Sequence, residues 1–229
     1  MKKLLITIAA VMVAAVVAQA GPRPSFDKPA CSDVGNWYVG AYGGMSAYQR
    51  TKDWDGGGSD YSQKRKIGVN GGLKVGYDFA PQNWVRPVLE FDAQYNYFRR
   101  GVCWNNTGTV TDRLDNHSFA FMVNALAKFD CGVWQPYVGA GAGVYHLRVK
   151  DTSPVGNFSP IKDSTNGFAW QLLAGTDYKL DANWALFVEY KWLNYEIRKY
   201  KDFMPGYGGG PLSNRIGQQL ASLGVRYTF

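Results

Sequence analysis

Eleven charged side chains recur within runs that alternate in hydropathy along this 229-residue chain: Lys74, Asp78, Arg86, Glu90, Asp92, Lys128, Asp177, Lys179, Glu189, Lys191 and Arg226. Each stands next to an apolar or aromatic residue. An extended chain therefore gathers the charges on one face and the apolar residues on the other. Charges of both signs confined to one face of a closed sheet are expected to pair, because an unpaired charge out of water is costly. Glu90 and Glu189 lie midway along their runs. They are expected to be the acidic centres of an ionic network with partners drawn from Lys74, Arg86, Lys191 and Arg226.

Other chemistry is weakly supported. The glycine run from Gly139 to Gly143 has no following lysine and keeps strand alternation, so it reads as packing and not as a phosphate cradle. Two histidines, His117 and His146, are too few for a metal site, and neither a metal nor a cofactor is expected. His117 and Ser118 are adjacent, which puts them on opposite faces of a strand. No Ser-His-acid constellation is present, and catalysis is not expected.

The positioning elements are marked by four tryptophans. Asn36-Trp37, Asn83-Trp84, Val133-Trp134 and Asn183-Trp184 each open a strand-like run, at spacings of 47, 50 and 50 residues. Each unit reads strand, long polar segment, strand, short turn, and the four units make eight strands. Strands of ten or more residues exceed the five or six usual in soluble sheets. Connections alternate between short turns and polar stretches of roughly 17 to 20 residues, an asymmetry of membrane barrels with short periplasmic turns and long external loops.

Ahead of this repeat, Lys2 and Lys3, the apolar run from Leu4 to Val17 and Ala18-Gln19-Ala20 read as a cleaved signal peptide over residues 1–20. Residues 21–35 are expected to be a periplasmic N-terminal segment and 36–229 the barrel. No long apolar run remains after cleavage, so no transmembrane helix is expected. The formal charge of +7 is concentrated in the long loops, which are each net positive. That basic rim is either a plain solvated surface or a means of attracting lipopolysaccharide phosphates and acidic host glycans.

Alternation alone does not say which face is inside, and a soluble lipocalin-type barrel is the rival. The aromatic face would overfill an eight-stranded interior. The opposite face is rich in glycine, which suits a crowded lumen better than a solvated strand surface. Glycines on the second and fifth strands are expected to leave gaps for ordered water. Trp37, Trp84, Trp134, Trp184, Tyr227 and Phe229 gather at the turn end of the strands, as an interfacial girdle does. The fold expected is therefore all-β: an eight-stranded antiparallel up-and-down transmembrane β-barrel in the bacterial outer membrane, surrounded by its lipids and lipopolysaccharide.

Over essentially its full length, the mature chain resembles the small eight-stranded outer-membrane proteins, which include the outer membrane protein A transmembrane domain and the opacity-type surface proteins. The resemblance rests on Asn-Trp-Tyr-Val-Gly at 36–40, Pro-Val-Leu-Glu at 87–90, Pro-Tyr-Val-Gly-Ala-Gly at 136–141 and the terminal Tyr-Thr-Phe. It implies that Tyr227 and Phe229 form the signal read by the barrel-assembly machinery. No segment matches a periplasmic peptidoglycan-binding domain, so cell-wall anchoring is not expected. The resemblance leaves three roles open: a structural or adhesin-like surface protein with a plugged lumen, meeting host glycans or proteins; a narrow porin-like pore; and an outer-membrane lipid-modifying enzyme. No nucleic-acid partner is expected. The topology also predicts a Cys31–Cys131 disulfide, since both lie on the turn side while Cys103 falls in an external loop ~25 Å away.

Overall fold

The computed structural model describes residues 35–49, 62–64, 67–82, 84–103, 112–129, 132–151, 162–196 and 215–229. These residues form strands β1 (Asn36–Gln49), β2 (Ser62–Lys64), β3 (Ile67–Asp78), β4 (Val85–Cys103), β5 (Asp112–Phe129), β6 (Trp134–Asp151), β7 (Lys162–Lys179), β8 (Trp184–Glu196) and β9 (Arg215–Thr228). The short β2 continues the ladder of β3 along β4, pairing Ser62 with Cys103. The eight long strands pair antiparallel in chain order, and the ladder between β1 and β9 closes the ring. Closure leaves neither edge strand bare, which removes the pairing liability of an open sheet.

The faces divide as alternation requires. Residues such as Leu73, Val123, Val144 and Leu223 point outward and are at least half exposed. The charged face points inward, with Lys74, Glu90, Asp92, Glu189 and Lys191 each no more than 1% exposed. A soluble barrel with an apolar pocket has the reverse arrangement. The outward residues of β5 from Phe129 to Phe119 are all apolar. At ~3.3 Å per residue and ~40° tilt they span ~25 Å, the height of a membrane barrel's apolar band.

Two expectations about connections are corrected. Strands β4 to β7 run further from the membrane than hydropathy suggests, leaving 104–111 and 152–161 as the connections at that end. These two stretches are shorter than the roughly 17 to 20 residues expected. Cys103 therefore ends a strand instead of lying in a loop. The reason is that backbone pairing continues as long as both strands stay in register, whether or not the side chains are apolar. Register holds from Val85↔Phe129 up to Val102↔Asp112.

At the other end the turns are short. Between β5 and β6, Gly132 takes φ +80, a left-handed conformation that a Cβ disfavours. Between β7 and β8, the Asp181 carboxylate accepts from the backbone N–H of Asn183 at 2.8 Å and Trp184 at 2.7 Å. The Asn183 side chain donates to the carbonyl of Thr228, and the Phe229 N–H donates to the carbonyl of Trp37. The C-terminus is thus tied to both of its neighbours. Residues 1–34, with the expected signal peptide, most of the N-terminal segment and Cys31, lie outside the described residues, as does Cys131. The proposed disulfide therefore has no geometry here.

Candidate functional site

The aromatic residues of the turn end pair across neighbouring strands. Trp37 meets Tyr77 edge-on at 5.2 Å between ring centroids, Trp84 stacks on Phe129 at 5.4 Å, Trp134 meets Tyr178 at 4.7 Å and Trp184 meets Tyr227 at 4.9 Å. Phe229 adds an edge contact to Tyr227 at 5.2 Å. Each of the four Trp residues of the repeat thus pairs with an aromatic residue of the neighbouring strand.

The lumen holds the charges. Period two sends alternate residues of every strand inward, and barrel closure brings strands far apart in sequence within reach of one another. Lys128 contacts Asp78 at 2.9 Å and Asp177 at 3.2 Å. Asp177 accepts from Arg226, whose Nη2 lies 3.7 Å from Glu90. Glu90 meets Lys74 at 3.1 Å, and Lys74 meets Glu189 at 2.7 Å. Glu189 lies 3.3 Å from Lys191, which contacts Asp92 at 2.5 Å. The result is one chain of alternating sign, Asp78–Lys128–Asp177–Arg226–Glu90–Lys74–Glu189–Lys191–Asp92, in which every interior member sits between two opposite charges. Together with buried Arg86, the lumen carries five cations and five acids among the described residues. Neutrality and double-sided pairing are what offset the desolvation of so many charges.

Hydroxyls and amides complete the shell. Tyr38 donates to Glu90 at 2.7 Å, Tyr42 to Asp92 at 2.9 Å and Tyr137 to Glu189 at 3.0 Å. Asn124 donates to Glu90 at 3.0 Å and accepts from Gln171 at 2.6 Å. The cations also lie over rings, with Arg226 4.2 Å from the Tyr38 centroid and Lys191 4.3 Å from that of Tyr42. Toward the external end the charges give way to an apolar cluster of Phe98, Met122, Tyr145, Leu147, Leu193, Tyr195 and Leu220, packed beside buried uncharged polar residues, with Asn96, Ser118 and Gln218 gathered on the Tyr195 hydroxyl.

The expectation of water-filled gaps at the lumen glycines is corrected. Most of these glycines face a larger cross-strand partner, and the exception, Gly68 opposite Ser46, is closed off by the backbone of β4. Tyr38 is opposite Gly76 and Tyr42 opposite Gly72, so on β3 the missing side chains are replaced by the rings of β1. On β6, Gly139, Gly141 and Gly143 receive Leu126, Asn124 and Met122 of β5. A Cβ at any of these positions would overlap the neighbour. The glycines admit rings into a lumen too narrow for two large residues per pair.

Of the residues expected in the network, Glu90, Glu189, Lys74, Lys191 and Arg226 are brought together by the geometry just described. Arg86 is buried in the lumen on β4. Lys179, expected inward with the rest, is only half-buried at the turn end of β7. Sequence reasoning gave Asp78, Asp92, Lys128 and Asp177 an inward face but no link, and it missed Tyr38 and Tyr42. The available signal was their even spacing with Gly40 and Gly44 on the inward face of β1. His117 and Ser118 do face opposite sides: Ser118 meets the Tyr195 hydroxyl in the lumen at 2.9 Å, while His117 meets Tyr95 outside at 2.7 Å.

Comparison with known proteins agrees with this architecture. A family model of the outer membrane protein beta-barrel domain matches residues 6–229. Outer membrane protein A of Shigella flexneri is 25% identical over 236 residues, covering 100% of this chain, which itself spans 56% of that relative's length. Among solved structures, the chain is similar to Neisserial surface protein A, with a TM-score of 0.48, 18% identity and coverage of 84% of this chain and 97% of that one. It is also similar to Ail, the attachment invasion locus protein of Yersinia pestis, with a TM-score of 0.46, 14% identity and coverage of 86% and 99%. With residues 6–229 matched, an apolar belt outside and a paired ionic lumen inside, the chain belongs to the outer membrane protein beta-barrel domain family and is a β-barrel of the bacterial outer membrane.

Proposed function

We propose that this protein is a plugged barrel: a rigid holder in the outer membrane whose external loops make surface contacts in an adhesin-like role. The observation that carries the reading is the continuous alternating chain from Asp78 to Asp92, which crosses the lumen with every interior charge held on two sides. Opening a water path through it requires breaking several buried pairs at once, and each broken pair costs about 3 kcal/mol or more. The layer above it, in which Phe98, Leu147, Leu193 and Leu220 are buried beside Asn96, Ser118 and Gln218, adds a second set of filled positions. The barrel wall then serves to hold the loops, and their basic, aromatic and glycine-rich composition suits contact with lipopolysaccharide phosphates or acidic host glycans. The separation of His117 from Ser118 by the barrel wall favours a non-enzymatic role. In the same reading, residues 1–20 are removed on export, the mature chain begins at Gly21, and Tyr227 and Phe229 are the residues read by the barrel-assembly machinery.

The test has two arms. Purified barrel in planar bilayers is expected to give no steady channel current, and cells carrying loop deletions are expected to lose binding to glycan-coated or host surfaces. Sustained conductance from the monomer, together with unchanged binding by the loop-deleted cells, would replace the holder with a pore for small solutes.

A further inference from the structure

At the external border of the apolar belt the outward residues of neighbouring strands change character together. On β5 the apolar series ends at His117, on β6 the series from Trp134 to Val144 gives way to His146 and Arg148, and on β7 Phe168 is followed outward by Asn166 and Ser164. The ladders place Tyr97, His117, Arg148 and Ser164 in one cross-strand row, with His117 directly opposite Arg148. Cβ atoms in such pairs lie ~5 Å apart, so one small anion can meet both side chains.

Several details prepare this row for an anion. The Tyr95 hydroxyl lies 2.7 Å from His117 Nδ1, and the His117 ring packs on Tyr97 at 4.9 Å. With Nδ1 engaged by Tyr95, Nε2 is the ring nitrogen left to meet a ligand, on a ring held in place. Arg148 is exposed, and its planar fork suits two oxygens of one phosphate. The nearest acid on β5, Asp115, accepts from the Tyr97 hydroxyl at 3.3 Å, and in the ladders it stands one outward step beyond the row, opposite Arg99 on β4 and Lys150 on β6. His146 is held through Nδ1 by Asn166 at 2.6 Å. The same border on the other side of the barrel carries Asn194 and Glu196 on β8 and Gln219 on β9, and there Arg215 of β9 stands opposite the acid Glu196 in the ladder.

Depth and charge together indicate the occupant. The row begins where the ~25 Å apolar band ends, at the level of the headgroups, and the anion found at that level is a lipid phosphate. We propose that Arg148 and His117, flanked by Tyr97 and His146, form a lateral site on the β4–β7 wall for the phosphate of an outer-leaflet glycolipid, with its acyl chains lying on Phe119, Val144 and Phe168. The inference rests on the outer-membrane orientation of the barrel and is independent of whether the lumen conducts.

The test uses the purified folded protein in zwitterionic detergent micelles and a bisphosphorylated glucosamine lipid, with adducts read by native mass spectrometry. The lipid is expected to bind the wild type about tenfold more tightly than it binds R148Q or the H117F/R148Q pair, with R148K intermediate and E196Q, on the opposite wall, unchanged. The dephosphorylated lipid is expected to bind the wild type as weakly as the phosphorylated lipid binds R148Q. Equal binding of the two lipids, unchanged binding by both R148Q and the pair, or displacement of the lipid by an equimolar amount of inorganic phosphate would each overturn the site. Heat-modifiable migration and vesicle insertion are measured on the same samples. A wild type that fails those two assays would refute the barrel orientation itself, and variants that pass them while keeping full affinity would refute only the lipid site.

Discussion

Replacing Glu189 tests whether the ionic chain holds the barrel together. Its carboxylate accepts from Lys74 at 2.8 and 2.7 Å and from Tyr137 at 3.0 Å, and it lies 3.3 Å from Lys191, with no exposed side-chain surface on either lysine or on Glu189 itself. Glu189→Ala removes the link between the two lysines and leaves five buried cations facing four acids. Lys74 keeps Glu90 at 3.1 Å and Lys191 keeps Asp92 at 2.5 Å, so neither is stripped of all partners. The loss therefore falls at the lower end of the range for breaking a buried pair, about 3 kcal/mol. The orphaned Tyr137 hydroxyl adds about 1 kcal/mol. Glu189→Gln keeps an acceptor for Tyr137 and is expected to cost about 3 kcal/mol. In the double variant Lys74→Met/Glu189→Met the charges balance again, and the total loss is expected to be smaller than that of Glu189→Ala alone, by about 2 kcal/mol. Urea unfolding at equilibrium in phospholipid vesicles, followed by tryptophan fluorescence and by mobility of the unheated protein on a gel, gives all three values. A loss below about 1 kcal/mol for Glu189→Ala, or singles that simply add in the double variant, would refute the idea that buried charge balance stabilises the lumen.

Three further outcomes follow from the same structure. Gly76→Ala places a Cβ inside the Tyr38 ring, which cannot step aside because Arg226 lies 4.2 Å from its centroid and its hydroxyl is bound to Glu90. It should cost about 1–3 kcal/mol in the same urea assay, and Tyr38→Leu should recover part of that; a neutral Gly76→Ala would show that the ring has room. Val123, outward and about midway along β5, should tolerate Leu but lose about 2–4 kcal/mol as Arg, and an Arg variant as stable as wild type would mean this wall does not face hydrocarbon. Deleting Phe229 removes one backbone bond to Trp37 and one edge contact to Tyr227, so refolding in vitro should change little while the amount recovered in the outer-membrane fraction of cells falls severalfold. Equal recovery would remove Tyr227 and Phe229 as an assembly signal.

The strands, their faces and their order were legible in the residues because those properties are local. A period of two is a consequence of strand geometry, and the Trp spacing marks a hairpin repeat whether or not the hairpins have met. Lys74, Glu90 and Glu189 could be assigned to one shared face on that ground alone, and to the lumen once the narrowness of an eight-stranded interior ruled out the aromatic face. Strand length was less legible: β4 and β5 continue in register to Val102↔Asp112, past the point where side-chain hydropathy stops reporting, because the backbone pairs regardless of it.

Partner choice within the lumen belongs to the closed ring. Lys74 meets Glu189 across 115 positions of sequence, and Asn70 meets Ser222 across 152, contacts that exist only once β9 has closed on β1. Alternation says that a side chain points inward, but the stagger between strands decides the height at which it arrives and which opposite charge stands there. The same holds for the glycines. Gly76 and Gly72 look like gaps until the register sets Tyr38 and Tyr42 against them, and only then does their smallness become the space that the rings occupy. Residue types thus specify the face and its chemistry through local geometry, while the pairing of charge with charge and ring with glycine depends on long-range register, which a single strand does not contain.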